Sequence, residues 1–351
     1  MKLSIVILNW NGSHHLRRFL PSVVKYSDRE GVEIIVADNC STDDSCILIE
    51  EEFPQIKLLR LNINHGFAEG YNQALKNNKA QYLMLLNSDV KATENWLEPL
   101  IKIMDSDPLI AACQPKILSL NEPDKFEYAG ASGGFIDHYG YPFCRGRIIN
   151  SQEQDHGQYE NSIPVFWTSG AAMLIRGKLW HESGGFDADF WAHMEEIDLC
   201  WRLKNSGYKM VVIPESTVFH LGGGSLAYGS PLKIYLNFRN NLFLLYKNLP
   251  KRKFFQTLFT RMTLDGIAAI QFLVTGQFRA FIGVLAAHRD FYKNLGKLRK
   301  KRGELHSTVK LTDHPEIYKG SIIFDFFILR IRKFSSLNFK IKGVKFQERL
   351  K

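Results

Sequence analysis

The chain has 351 residues, 45% of them hydrophobic and 23% charged, which excludes a disordered or fibrous protein and allows one large domain or two modest ones with a sizeable core. The net charge of +9 is unevenly placed: from Pro231 onward there are 25 Lys/Arg against 7 Asp/Glu, leaving 20 against 29 before it, so an acidic front and a basic rear suggest two tasks. Five scattered cysteines (Cys40, Cys46, Cys113, Cys144, Cys200), odd in number and without C-x-x-C spacing, exclude a disulfide framework or a zinc ribbon and fit a reducing compartment.

In chain order, strands are predicted over residues 3–8, 32–37, 56–61 and 82–87, and helices over 13–26, 43–52 and 67–78. Such alternation with short connections implies a mostly parallel sheet covered by helices. The opening MKLSIVILNWNG has one Lys, a short apolar run and no small-residue cleavage site, so it reads as a first strand rather than a signal peptide. A helix over 94–105, capped by Thr93, and a strand over 110–118 follow. From about Asn121 to Ser162 glycine, proline and aromatic residues replace helical periodicity, which predicts a loop or small antiparallel insertion. VFWTSGAAMLIRGKLWHESGGFD reads as a strand and a short helix, MEEIDLCWRLKNSGY as a helix ending at Gly207, and KMVVIPESTVFH as a strand pair around Pro214.

A first domain of residues 1–230 is expected, then a helical basic region of residues 231–351. Its apolar segment is interrupted by Asp265, Gln271, Gln277 and Arg279 before a clean run of about 18–20 residues is reached. A helix on a membrane surface, or a re-entrant one, is therefore expected rather than a span. KLRKKR, Lys297 to Arg302, suits anionic headgroups at about 1 kcal/mol per basic residue; a solvated charge run on a soluble tail is the plainer reading. Nucleic acid is not expected as the partner, because no aromatic platform is interleaved with the charge.

Candidate ligand groups gather after the strands, where open α/β sheets bind. Asn9 and Asn11 follow the first strand, without a G-x-G-x-x-G or a G-x-x-x-x-G-K-[ST] loop. Asp38 ends the second and is placed to accept from a base or ribose, with Asn39 beside it and Ser41 or Thr42 as a helix cap. Gly66, Phe67 and Gly70 open a helix whose backbone N–H groups can face an anion, and Asn64 and Asn72 can bond a base or sugar. YLMLL delivers Asn87, Ser88 and Asp89 to the sheet edge, with Asp89 free to hold a divalent cation. Glu195, Glu196 and Asp198 lie in a half-apolar helix start, where burial raises a carboxyl toward the range of a general base; surface acids favoured by the helix dipole are the plainer alternative. His220 ends a strand before a glycine loop, at metal or diphosphate distance in this reading.

Taken together, SIVILNWNG, VADNCSTDDS, NHGFAEGYNQAL, LNSDV, MEEIDLCWR and VFHLGGGS resemble, in order, the motifs of family 2 glycosyltransferases of the GT-A fold, particularly the rhamnosyltransferase-like bacterial branch. The resemblance covers about residues 2–230. It departs twice: the D-x-D-type metal motif is Asn87-Ser88-Asp89, with one carboxylate, and Glu196 replaces the usual Asp. The resemblance implies an α/β GT-A domain and an inverting transfer from a nucleoside-diphosphate sugar. In it Glu196 is the base, with Glu195 and Asp198 as alternatives; Asp89, helped by His220, holds Mg²⁺ or Mn²⁺; Trp167 and Trp191 supply an acceptor-stacking face. Asn9, Asn11, Asp38, Asn39, Asn64, Gly66, Phe67, Gly70, Asn72, Asn87 and Ser88 form the donor site. The implied donor is dTDP-rhamnose or a UDP-sugar, the acceptor a saccharide, lipid-linked, at the cytoplasmic face of the cell membrane, and the process cell-surface polysaccharide synthesis. A catalytically inactive nucleotide-sugar or glycan-binding module of the same fold is the alternative. A nucleotidylyltransferase would need a glycine-rich loop after the first strand, and a metal hydrolase more clustered His and Asp ligands.

Overall fold

A computed structural model describes residues 1–222, 230–339 and 341. Its centre is a nine-stranded sheet built from β1 (Leu3–Asn9), β2 (Val32–Asp38), β3 (Lys57–Arg60), β4 (Tyr82–Asn87), β5 (Val90–Ala92), β6 (Ile110–Ser119), β11 (Ile163–Val165), β12 (Ala172–Arg176) and β13 (Lys209–His220). The spatial order is β11-β13-β6-β12-β4-β1-β2-β3, with β5 paired to β13. β4, β1, β2 and β3 are mutually parallel, β13 is parallel to β6, and β12, β11 and β5 run against their neighbours. The sheet is thus mixed but largely parallel.

β1 and β4 lie mid-sheet with apolar residues on both faces, so they are almost wholly buried; β3 at the edge is short, basic and partly exposed. Helices α1 (Ser13–Ser27), α2 (Ser45–Glu52), α3 (Gly66–Leu75) and α4 (Glu98–Ser106) cover the faces. On α1, Leu16, Phe19, Leu20 and Val23 repeat at helical spacing and form the buried stripe.

Two predicted details change. KMVVIPESTVFH is one strand, β13, with a register irregularity between Ile213 and Thr217 where Pro214 has no N–H to give. Thr93 does not cap α4, which starts at Glu98; its hydroxyl donates to the Thr217 carbonyl at 2.5 Å, because β5 pairs with β13 and carries Thr93 there.

The glycine- and aromatic-rich insertion contains β7 (Gly134–Asp137), β8 (Pro142–Cys144), β9 (Arg147–Ile148) and β10 (Ser151–Gln152). These form a second sheet, which β14 (Ile317–Tyr318) completes in parallel with β7. Helices α5 (Gly177–Glu182) and α6 (Glu195–Asn205) precede the rear helices α7 (Pro231–Asn248), α8 (Phe254–Val274), α9 (Phe278–Lys293) and α10 (Leu295–His306); α11 (Ile322–Phe327) follows β14. The rear is fixed to the insertion through residues after β14. The Ile322 N–H donates to Asp137 Oδ2 at 3.0 Å, and the rings of Phe135 and Phe334 lie 5.3 Å apart.

The basic run is partly tied to the rest of the protein. Lys301 reaches Asp187 at 2.6 Å and Asp189 at 2.7 Å, Lys297 pairs with Asp189, and Arg302 donates to the Tyr246 carbonyl at 2.6 Å. Three of its five cationic side chains therefore have partners within the protein, while Lys297, Arg299 and Lys300 stay exposed.

Candidate active site

At the carboxyl edge of the sheet, β1 and β2 end in register at Asn9 and Asp38. Asn9 Nδ2 donates to Asp38 Oδ1 at 3.2 Å and to Ser41 Oγ at 3.3 Å, while Ser41 N–H donates to Asp38 Oδ2 at 2.9 Å. Asn11, at φ +49°, donates its N–H to Ser41 Oγ at 2.9 Å and accepts from Thr42 N–H at 2.7 Å. Ser41 and Thr42 thus tie two strand ends together instead of capping α2, which begins at Ser45. Asp38 is buried beneath this lacing.

Several expected donor ligands are committed elsewhere. Asn39 Nδ2 donates to Asn64 Oδ1 at 3.0 Å and to the Gly66 carbonyl at 2.9 Å, and its Oδ1 accepts from His65 N–H at 3.0 Å. Asn64 Oδ1 also accepts from Gly66 N–H at 2.9 Å. Asn72 bonds both the carbonyl (2.8 Å) and the N–H (2.9 Å) of Phe186. These asparagines brace the loops around the site through backbone and side-chain bonds, while Asn64 remains exposed.

The helix-start anion site is also filled from within. The N–H groups of Phe67 and Ala68 both donate to the Trp191 carbonyl, at 2.9 and 3.0 Å. Gly66 has φ +72°, and a Cβ there would fall 2.5 Å from Trp191 Nε1. Gly70 admits Leu8, whose Cδ2 would be 2.8 Å from an added Cβ. The two glycines therefore permit close packing of α3 against the Trp191 loop and β1, not approach of a phosphate. The Phe67 ring packs edge-on against Tyr71 at 5.0 Å.

After β4, Asn87 Nδ2 lies 3.4 Å from His220 Nε2, and Ser88 follows in the turn beside Gly12. Asp89 Oδ1 is 3.0 Å from His220 Nε2, and His220 Nδ1 is 3.3 Å from Glu127 Oε2. All three groups are buried. Burial alone would lower the imidazole's pKa, but the Glu127 and Asp89 carboxylates raise it to about 10. Burial likewise opposes the charge on Asp89, yet the adjacent imidazolium holds its pKa below the ordinary value. His220 therefore stands between two carboxylates, Nε2 toward Asp89 and Nδ1 toward Glu127. Glu127 is the partner that sequence reading missed: it sits alone in KFEYAG within the irregular insertion, and nothing near it marks an ion pair with β13. Gly222 is described, whereas Gly223, Gly224 and Ser225 of the expected glycine loop lie outside the described residues.

Helix α6 opens from a strained loop. Trp191, His193 and Met194 have φ of +63°, +69° and +74°, a region costly for residues with side chains. Asn240 of α7 holds this loop, its Nδ2 lying 2.9, 2.8 and 2.7 Å from the carbonyls of Phe190, Ala192 and His193. Arg239 adds bonds to the Asp189 and Phe190 carbonyls, each at 3.0 Å.

The three acids of α6 have different surroundings. Asp198 is fully buried and bonded to Arg202 Nε (2.9 Å), Lys247 Nζ (3.0 Å) and Asn248 Nδ2 (2.8 Å). With its charge neutralised on every side it joins α6 to α7, and the structure removes it from the candidates for base. Glu195 is buried with Oε2 unpartnered, and burial, then the charge of Glu196, lifts its pKa well above the carboxylate range. Glu196 is only half-buried; its Oε2 is also unpartnered, and burial raises its pKa to about 7. A carboxyl poised near neutrality with an unpaired oxygen is chemically suited to take a proton. His193, with Nε2 unpartnered, stands just before them.

The two tryptophans separate. Trp167 is 3% exposed, and its Nε1 donates to the Phe135 carbonyl at 2.9 Å, so it is core and cannot stack an acceptor. Trp191 is 40% exposed.

A buried Asp89–His220 pair at the carboxyl edge of a largely parallel sheet, and on α6 an unpaired Glu196 whose pKa is raised to about 7, are groups suited to group transfer. Residues 4–174, just under half of the chain, match the model described as Glycosyl transferase family 2, and the chain is a glycosyltransferase that takes sugar from a nucleotide-sugar. It is 26% identical over 236 residues to the N-acetylglucosaminyl-diphospho-decaprenol L-rhamnosyltransferase of Mycobacterium tuberculosis, a match covering 62% of this chain and 75% of that enzyme. Among solved structures, TarS of S. aureus with UDP-GlcNAc superposes with a TM-score of 0.55 at 16% identity, over 88% of this chain and 87% of that one. GalNAc-T7 with UDP, GalNAc and Mn²⁺ gives 0.55 at 18% identity, over 70% of this chain but only 48% of that one. These two likenesses bear on the fold alone.

Proposed function

We propose that the chain is an inverting glycosyltransferase that moves a deoxyhexose, rhamnose by preference, from its nucleoside diphosphate to a lipid-linked saccharide during cell-surface polysaccharide synthesis. The observation that carries the reaction type is Glu196 at the start of α6, half-buried, with Oε2 unpartnered and a pKa raised to about 7 by burial. Glu196 takes the proton of an acceptor hydroxyl as that oxygen attacks the anomeric carbon; the bond to the nucleoside diphosphate breaks on the opposite face, and configuration inverts. Glu195, deeper and held protonated by burial and by its neighbour's charge, keeps a second negative charge away from the base.

The leaving diphosphate gathers negative charge as its bond breaks, so stabilisation there contributes most to the rate. His220 presents a buried positive charge beside Asp89. Among the described residues no three His, Cys, Asp or Glu side chains form a self-sufficient metal site. Mg²⁺ or Mn²⁺ is commonly held by one carboxylate together with substrate phosphate oxygens, and Asp89 fits that donor set. Bound there, the ion would act as a Lewis acid toward the diphosphate. GalNAc-T7 is a neighbour of the same fold whose structure contains Mn²⁺.

The sugar and acceptor rest on the mycobacterial relative, whose name gives an L-rhamnosyl product on a prenyl-diphosphate sugar. Such an acceptor places the enzyme peripherally at the cytoplasmic face of an anionic membrane, with Trp191 as the exposed stacking face. The test is release of nucleoside diphosphate from dTDP-rhamnose, UDP-hexoses and GDP-mannose with a prenyl-diphosphate saccharide, and the anomeric configuration of the product read by NMR. Turnover of a UDP-hexose alone would replace rhamnose, and retained configuration would overturn the single displacement.

A further inference from the structure

Helix α8 is built with its polarity reversed. Its buried face is Thr257, Arg261, Asp265 and Ala269, and Asp265 is 0% exposed. Arg261 Nε donates to Asp265 Oδ1 at 2.7 Å, its guanidinium lies 4.0 Å over the Tyr141 ring and bonds Asn241 Oδ1, and His288 of α9 is 3.2 Å from Asp265 Oδ2. The opposite face carries Phe255, Phe259, Ile267, Ile270 and Val274, with Phe255 82% and Val274 80% exposed. On α9, Ile282 and Leu285 are exposed as well. A helix against water shows the reverse arrangement, with apolar residues inward. Burying Arg261 and Asp265 carries a desolvation cost, which this fold accepts while leaving aromatic and branched side chains outside. Single exposed apolar residues are ordinary, but a strip along a whole helix marks an interaction surface.

Charge selects the occupant. On α8 and α9 the acids are Asp265, which is buried, and Asp290, which is paired with Arg289 and Tyr235, whereas Lys251, Arg252, Lys253 and Arg279 are exposed. A second copy of the chain applied to the same face would set positive rims against each other; anionic lipid headgroups complement them. The length of Lys251–Val274 and its apolar character would suffice for a span, but its polar face is already bonded to α7, α9 and the insertion. We propose that the α8–α9 face is a membrane-docking surface whose apolar strip enters the boundary of headgroups and acyl chains of an anionic bilayer, the helices lying in its plane and the basic residues at phosphate level. Attachment is then mainly by apolar insertion, not by the Lys297–Arg302 run. The proposal rests on the reading above only in supposing that the acceptor lies at a membrane, and its test needs no turnover.

The full chain is sedimented with vesicles of phosphatidylglycerol and phosphatidylethanolamine, at low salt and at high salt. Wild type is expected to bind and to keep most of its binding at high salt; no binding, or full release by salt, overturns apolar insertion. The exposed-face variant F255S/F259S/I270S should bind at least about tenfold more weakly, since each change removes apolar area that the membrane would cover. Its melting temperature and its stabilisation by added nucleoside diphosphate should match wild type, which separates lost docking from lost folding or lost donor binding. Undiminished binding by the variant overturns the proposal. So does concentration-dependent dimerisation without vesicle binding, abolished by the same substitutions, which would make the face a contact between copies. As an independent check, Phe259→Trp fluorescence should be quenched by brominated acyl chains; absence of quenching would place the strip outside the bilayer.

Discussion

Asn240 of α7 donates to the carbonyl of His193 at 2.7 Å, and through that side chain the rear of the molecule holds the loop that presents the glutamates. The loop has three non-glycine residues at positive φ, so it keeps its shape only while it is clamped. Asn240→Leu is expected to lower stability by about 1–3 kcal/mol, because buried carbonyls lose their donor. It should also cut turnover at least about tenfold through misplaced acids, since small displacements of a catalytic group are costly. Thermal melting and steady-state kinetics check both parts. Deleting residues 231–351 would remove the clamp too, and so is expected to unfold the α6 region rather than report only on membrane binding.

The division of labour on α6 gives a clean contrast. Glu196→Gln should reduce turnover by about 10²–10⁴-fold, the usual worth of a general base, with nucleoside-diphosphate binding unchanged by calorimetry. Asp198→Asn should instead destabilise the fold, by about 3–5 kcal/mol as for one partner removed from a buried ion pair, because Lys247 and Arg202 lose their carboxylate. Full activity in Glu196→Gln would move the role of base to Glu195.

The pH dependence follows from the same carboxyl. Glu196 must be ionised to accept a proton, so kcat/KM should rise through an apparent pKa of about 7 and level off above it. For stability the sign is opposite. Between the ordinary glutamate value and about 7 the folded protein keeps a proton that the unfolded chain has lost, so this group makes stability fall as pH rises through that window. Glu195, raised in the same direction, adds to the fall. Chemical denaturation across pH 4 to 8 should show a smaller fall in Glu196→Gln.

On the donor side, Asp89→Asn should abolish the extra thermal stabilisation that Mn²⁺ gives to the nucleoside-diphosphate complex, while stabilisation by the nucleotide alone persists in part. A chelator should lower wild-type turnover. An unchanged rate with chelator would assign the stabilisation of the leaving group to His220 and neighbouring protein groups.

Gly66→Ala is expected to destabilise by about 1–3 kcal/mol, because its φ of +72° disfavours a side chain and the new methyl would meet the Trp191 indole. Replacing Trp191 with Gly in the same chain should recover most of that loss, as both the clash and the strain at φ +63° disappear. A double-mutant cycle on melting temperature measures the coupling.

The strand and helix alternation from Leu3 to Asn87 was legible along the chain, because apolar periodicity and turn residues are local properties. So were the sheet-edge acids Asp38 and Asp89 and the α6 carboxylates, since a strand end or a helix start is written in adjacent residues. What those groups do depends on the fold. Whether an amide is spent on a neighbouring loop, as in Asn39, Asn64 and Asn72, depends on a partner that no spacing reveals. The same holds for Glu127 against His220, for Lys247 against Asp198, and for the Trp191 carbonyl that occupies the start of α3. The rear helices show the limit most plainly. Asp265 interrupts an apolar segment when read in line, but folding turns it inward onto Arg261 and leaves the apolar side outside, because burial and pairing are set by neighbours in space and not by neighbours in the chain.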